Sequence, residues 1–509
     1  MTLDPASLQV LISRLTGVAE EMGGVLRRAA FSPNIKERAD CSAALFTPSG
    51  ELLVQAEHIP VHLGAMPASV QAAIDAFGDE ALQPGDQVVL NAPFAGGTHL
   101  NDLTLVAPCH VDGRLAGWAA NRAHHADVGG MAPGSIPPEA VEVYQEGLRI
   151  PPVRLGPEVM AVLVANSRTP REREGDLDAQ VGANVVGVQR LAALADQPLE
   201  EVGDYGERRM RAALAEVPDG TWEFEDQVDS VGPAPEQQEP ARLAVTLTVE
   251  GDTATFDFTG SDEQRPGNVN AVEAVTVSAV AFALRSVTDP TIPPNGGALR
   301  PVEVVAPAGT IVNARPPVAV GAGNVEVSQR VADVCLGALA QAVPDRVGAA
   351  GQGTMNNLMV GGDGWVYYET VAGGQGGRPG RAGMSGVHTA MTNTRNTPIE
   401  ALERSFPLRV RRYRLRRGSG GGGRWPGGDG VERDLEVLEA VTVSLVTERR
   451  SSRPWGLDGG EAGQVGENWL LPQGDEAGAE RLPDKCTVRL RPGDVLRMLT
   501  PGGGGYGRP

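Results

Sequence analysis

Four of the seven histidines in this 509-residue sequence, His99, His110, His124 and His125, lie between Gly96 and Gly130, in GGTHLNDLTLVAPCHVDGRLAGWAANRAHHADVGG, together with Asp102 and Asp127. Neutral imidazoles and a carboxylate are ligands for zinc, manganese or iron, and a three-residue set leaves coordination positions for water or substrate. The same residue types also serve as a metal-free acid/base pair or as ordinary surface histidines. Spacing alone leaves all three readings open.

What would bring these residues together is a hairpin. LTLVAPCHV and RLAGWAANRA flank Asp112-Gly113, a strong two-residue turn signal. With Val111 opposite Arg114, Leu103 falls opposite Arg122 and Asn101 opposite His124, so His99, Asp102 and His124 meet at the open end. His110 falls at the turn end, away from them. His125 points to the other face of its strand.

A second hairpin, AALFT and ELLVQ around Ser49-Gly50, sets Cys41 against His58 and Asp40 against Ile59. It carries Asp40 and the HIPVH loop to one end, which makes Asp40 a candidate fourth ligand, with backbone capping as its alternative role. His58 and His62 are readable as ligands, substrate contacts or core groups. Glu142 and Glu146 are four apart, which on a helix would give them one, ordinarily solvated, face.

The surrounding pattern predicts a mixed α+β, multi-domain chain, with an N-terminal metal-bearing region of helix and hairpin over 1–232, a central strand-and-helix domain over 233–405 and a β-rich, Gly-rich region over 406–509. Apolar residues from Leu8 to Leu26 recur at helical spacing behind Asp4-Pro5. LAVTLTVEGDTATFDFTG alternates as antiparallel strands, and apolar stretches over 271–284 and 325–342 suggest buried helices. The glycine-dense segments GGQGGRPGRAG and GSGGGGRWPGGDG read as tight turns. Helices and strands are segregated rather than alternating, which disfavours a doubly wound fold.

Composition narrows the function. A formal charge of -20 argues against a nucleic-acid partner, which needs concentrated positive charge. The one basic run, RVRRYRLRRG from Arg409, reads as an amphipathic strand. Lys36 and Lys485 are the only lysines and neither follows the Gly-rich pattern of a Walker ATP site. Four scattered cysteines without a CxxC pair suggest reduced, buried thiols in a cytosolic protein. The start MTLDPASLQV shows no secretory signal, and the apolar run over 274–284 is too short to span a bilayer.

FSPNIKERADCSAALFTPSGELLVQAEHIPVHLGAM, GGTHLNDLTLVAPCH, NRAHHADVGGMAPGS and YQEGLRIPPVRL, in that order, resemble the N-terminal part of the hydantoinase B/oxoprolinase family. FDFTGSDEQRPGNVN, the NTRNTPIEALERSFPLRVRRYRLRRGSGGGGRWPGGDG block and the Gly-rich tail resemble the rest. The C-terminal end is short for the family.

The resemblance implies the hydrolytic subunit of a two-component cyclic-amide hydrolase, whose hydantoinase A-type partner binds ATP in a hetero-oligomer. A ketone carboxylase subunit of the acetone or acetophenone type, a standalone metallohydrolase and a non-catalytic scaffold for the partner are the alternatives. The metal motif of the related carboxylases, His-x-x-Asp with a later histidine, carries onto His99, Asp102 and His124. His125, Asp127 and Glu146 are then the candidates for moving protons.

Overall fold

The computed structural model describes residues 3–56 and 59–509, so His58 lies outside the described residues. Helix α1 (Pro5–Ala29) starts where Asp4 accepts hydrogen bonds from the backbone N–H of Ala6 and Ser7. β1 (Cys41–Phe46) and β2 (Leu52–Gln55) form the first hairpin; α2 (Ala65–Ala81) and β3 (Val88–Leu90) follow. β4 (Asp102–Val111), β5 (Arg114–His124) and β6 (Val153–Arg154) complete a six-stranded sheet of order β2-β1-β5-β4-β3-β6.

Every residue of β1 is buried, because both faces of this sheet are covered. Ala43 and Leu45 pack with Leu15, Val18 and Met22 of α1. The alternate residues Ala44 and Phe46 pack with Met66, Val70 and Ala73 of α2. Helix α3 (Pro170–Ala192) joins α1 on the first face, through Leu191.

A second sheet, β10-β9-β8-β7, is built from β7 (Gly220–Val228), β8 (Ala241–Glu250), β9 (Thr253–Asp257) and β10 (Val302–Val305), the last parallel to β9. The two apolar stretches form α4 (Glu273–Val287) and α5 (Ser328–Ala342), which share one core with Leu243, Leu247 and Phe256. A single π-helical turn, Gly323–Val327, leads into α5. Such turns widen a helix locally and occur disproportionately at functional sites.

The C-terminal strands are β11 (Asn357–Gly362), β12 (Trp365–Thr370), β13 (Leu408–Arg416), β14 (Gly430–Val437), β15 (Val441–Val446), β16 (Glu467–Leu471), β17 (Glu480–Leu482), β18 (Lys485–Leu490) and β19 (Val495–Leu499). They form two sheets, β12-β11-β15-β18 and β13-β14-β19-β16-β17, that bury Leu358, Val360 and Leu445 against Leu435, Leu496 and Met498. The architecture is thus mixed α+β with several sheets. Strand pairs cross both divisions expected from composition: β7 before 232 pairs with β8 after it, and β11 before 405 pairs with β15 after it. Composition marks loops; it does not report which strands pair across them.

The basic run is β13, and its arginines are neutralised in a ladder: Arg409 and Arg411 on Glu436, Arg412 and Arg414 on Glu432, Arg416 on Glu467. The glycine-dense segments are not the set of turns that their composition suggests. Segments around 374–377, 420–428, 456–463 and 502–505 pack backbone against backbone. Gly374 N–H donates to Pro501 O, Gly377 to Gly504 O, Gly428 to Gln375 O and Gly503 to Gly428 O. Among the described residues no helix is long and apolar enough to cross a membrane. All four cysteines are free and buried.

Candidate metal centre

Asp112 and Gly113 adopt positive φ of 50° and 75°, the conformation of the tight hairpin turn the sequence signalled. Val111 lies opposite Arg114, but a β-bulge between Cys109 and His110 shifts the register, so that Cys109 faces Gly117. This corrects the expected pairing by one residue. Asp102, rather than Asn101, faces His124, and Leu103 faces Ala123 rather than Arg122. At Gly117 φ is 153°, and a side chain would run into the carbonyl of Phe46, so glycine is what allows the bulge. In the other hairpin Ala44 faces Gln55 in the expected register, while Cys41 pairs with Ala123 of β5.

The result is a compact, buried trio. Ligand atoms of His99, Asp102 and His124 lie within 4.8 Å of one another. His99 Nδ1 is 3.2 Å from Asp102 Oδ2, and His124 Nδ1 is 3.5 Å from Asp102 Oδ1. His62 adds a third imidazole, its Nε2 3.5 Å from Asp102 Oδ2 and its Nδ1 2.8 Å from Ser42 Oγ. Thr98 Oγ1 donates to Asp102 Oδ2 at 2.9 Å.

Electrostatics keeps the carboxylate ionised. Burial alone would raise the Asp102 carboxyl, but the pull of His99 and the close approach of the His124, His62 and His99 rings outweigh it and hold it well below the usual range. Burial lowers His124 from the ordinary imidazole value, which favours the neutral form that ligates metals. Arg122 is fully buried, donates from Nε to Thr104 Oγ1 and from Nη2 to Ser69 Oγ, and adds positive charge near Asp102.

The donor set fits a divalent ion. Both ring nitrogens of His99, Nε2 of His124 and Oδ1 of Asp102 are buried with no hydrogen-bond partner. Buried polar atoms left this way are costly unless another group pairs with them. His99, Asp102 and His124 would hold the ion.

Residues distant in sequence close the site, and no local pattern announces them. Tyr368 on β12 stacks on His124 with ring centroids 4.4 Å apart. Asn324 on the π-helical turn reaches Asp102 Oδ2 at 3.5 Å. From the FSPNIKERAD segment, Asn34 donates to the His124 carbonyl, and Arg38 donates to Asn34 Oδ1 and to the Tyr368 carbonyl. Asp40 is buried next to the trio, its carbonyl accepting from His124 N–H, but its carboxylate is not part of the close group.

The three expected proton carriers are engaged elsewhere. His125 turns to the opposite strand face, Nε2 2.9 Å from Gln180 Oε1, and burial together with Arg173 pushes it down to about 3. Asp127 accepts from the backbone N–H of Gly129, Gly134 and Arg168 and from the Arg168 guanidinium, which organises the loop after β5. Glu142 and Glu146 do not share a helix face. A short 3-10 turn over Val143–Gln145 leaves Glu142 exposed and Glu146 fully buried, where it accepts from the N–H groups of Val320 and Gly321.

Glu146 therefore clamps the chain just ahead of the π-helical turn that presents Asn324. Burial pushes its carboxyl up to about 8 from an ordinary 4.5, against the two backbone donors. Between those values the folded chain holds a proton that the unfolded chain has lost, so stability falls as pH rises through that window. Glu146→Gln keeps an acceptor for both N–H groups. Its melting temperature is expected to decline less than that of the wild type between pH 5 and pH 8, and parallel pH profiles would show that Glu146 is ionised in the fold.

Comparison with known proteins follows the same lines. Residues 4–509 match the family described as hydantoinase B/oxoprolinase. The chain is 38% identical to 5-oxoprolinase 1 of Arabidopsis thaliana over 99% of its own length and 42% of that protein's. It is 33% identical over its whole length to a protein named as a D-/L-hydantoinase component from a Pseudomonas species, covering 90% of it. It thus spans about two-fifths of the oxoprolinase but most of the hydantoinase component. The ATP-dependent caprolactamase structure from Pseudomonas jessenii superimposes with a TM-score of 0.92 at 29% identity, over 100% of this chain and 93% of that one. With a family match over residues 4–509 and relatives of this identity, the chain belongs to the hydantoinase B/oxoprolinase family.

Proposed function

We propose that the chain is the hydrolytic subunit of a cytoplasmic, two-component, ATP-dependent cyclic-amide hydrolase. A divalent ion, zinc, manganese or iron, is held by His99, Asp102 and His124, and a hydantoinase A-type partner binds ATP and activates the substrate. The buried trio, with ligand atoms that have no hydrogen-bond partner, carries this reading. The relatives named 5-oxoprolinase and the likeness to an ATP-dependent caprolactamase support the substrate class.

An unstrained amide resists hydrolysis because its nitrogen lone pair stabilises the carbonyl, which is why ATP activation is needed. When bound, a divalent ion supplies Lewis acidity to the reacting carbonyl and to water. Thr98 and His62 orient the Asp102 carboxylate, Tyr368 covers one face of His124, and the burial of all three ligands excludes bulk water. Such outer partners fix ligand orientation and basicity. His125, Asp127 and Glu146 act as positioning groups, and Asp40 stands as a further ligand candidate beside His124.

The test is the purified complex with its partner and a panel of small lactams, assayed for phosphate release and product with and without bicarbonate. The expected result is ATP-dependent ring opening to an amino acid without bicarbonate. A bicarbonate-dependent product with an added carboxylate would identify a carboxylase instead, and turnover without ATP a standalone hydrolase.

A further inference from the structure

Beside the turn that carries His62 lies a cavity of about 530 Å³ that none of the groups above occupies. Pro60 and Leu63, flanking His62, line it, and Phe282 of α4 adds another apolar surface. Its polar lining includes Gln55, His388 and Thr389, and elsewhere on the wall the charged residues Arg285, Asp333, Arg346 and Arg378. Gln55, at the end of β2, is 1% exposed, and neither its Oε1 nor its Nε2 has a hydrogen-bond partner. Thr389 Oγ1 is also without a hydrogen bond. Burial pushes His388 down to about 4, so this ring is neutral. A buried carboxamide with both ends unpaired is unfavourable unless something that both donates and accepts sits against it.

We infer that this cavity receives the ring of a cyclic amide and that Gln55 selects it through a two-point hydrogen-bonded pair. This rests on the cyclic-amide reading above and names the residue that would enforce it. In a small lactam the ring holds the amide cis, so its N–H and C=O lie on one edge. The Gln55 carboxamide also presents an N–H and a C=O on one edge, and the two pair head to tail. A linear secondary amide is trans and points donor and acceptor to opposite edges, so it can make only one of the two bonds. Leu63, Phe282 and Pro60 supply the apolar contact that the methylene side of a lactam ring requires. His62 belongs to the same turn and lies 3.5 Å from Asp102, so one turn reaches both the cavity and the metal centre.

Ligand-detected NMR on the whole chain, without ATP or partner, tests this with three probes: 2-pyrrolidinone, N-methyl-2-pyrrolidinone and N-methylacetamide. 2-Pyrrolidinone is expected to bind the wild type about tenfold more tightly than either of the others, the difference one lost hydrogen bond makes. In folded Gln55→Leu that preference disappears. Equal affinity of the wild type for all three, no binding of any, or an undiminished preference in Gln55→Leu would overturn the assignment. The wild-type panel decides even if the variant fails to fold. Ring opening by the complex without lactam selectivity would sink only the role of Gln55. Selective lactam binding without ring opening would sink only the hydrolase reading.

Discussion

Replacing His99 or Asp102 by alanine is expected to lower ATP-dependent ring opening by the complex at least about a hundredfold, beyond the roughly 10- to 100-fold that loss of an outer partner such as Thr98 costs. Asp102 lies at the centre of the site, 3.2 to 3.5 Å from three imidazoles. Without its carboxylate the histidines lose their common anion and any bound ion loses its negative ligand. His99 is fully buried, and neither ring nitrogen has a hydrogen-bond partner to compensate for its removal from an ion's coordination. Steady-state assays of both variants beside Thr98→Ala check the order of effects. Full activity in His99→Ala would leave the chain as a scaffold for its partner.

The second large effect concerns stability. Gly427→Ala is expected to cost more than about 4 kcal/mol, the range reserved for severe steric or burial defects, and to give little soluble protein. A methyl group at Gly427 would run into the carbonyl oxygen of Gly503, itself held by the Gly428 segment. Backbone, unlike a flexible side chain, cannot rotate away. Gly17→Ala is the control: this exposed glycine in α1 has nothing within 4 Å of the added carbon, and alanine there should stabilise by about 0.5 to 1 kcal/mol. Thermal melts and soluble yields of the two variants separate a glycine needed for close packing from a replaceable one.

What is legible in the sequence is local. Asp112-Gly113 announces its turn, Asp4-Pro5 its helix, and the histidine spacing its cluster, because each depends on residues near in the chain. The bulge at Gly117 escapes the simple hairpin register, although an isolated glycine inside a strand pattern is its usual sign. That one extra residue decides whether Asn101 or Asp102 faces His124. Tyr368 and Asn324 reach the site from more than two hundred residues away, and nothing around either one marks it. The glycine-dense segments read as turns because positive φ is the commonest need for glycine. Their need is instead room for neighbouring backbone, a property of partners far off in sequence. Glu146 looks solvated because i,i+4 spacing presumes a helix, and the chain there makes only a short 3-10 turn before burying the carboxylate.

The most direct test of the central claim is metal content by inductively coupled plasma mass spectrometry on the wild type beside His99→Ala and His124→Ala, with folding checked by circular dichroism. Near-stoichiometric zinc, manganese or iron in the wild type, lost in both folded variants, is the expected result. A wild type that stays metal-free after incubation with those ions, alone and with its partner, or variants that keep the full complement, would contradict a metal centre at His99, Asp102 and His124.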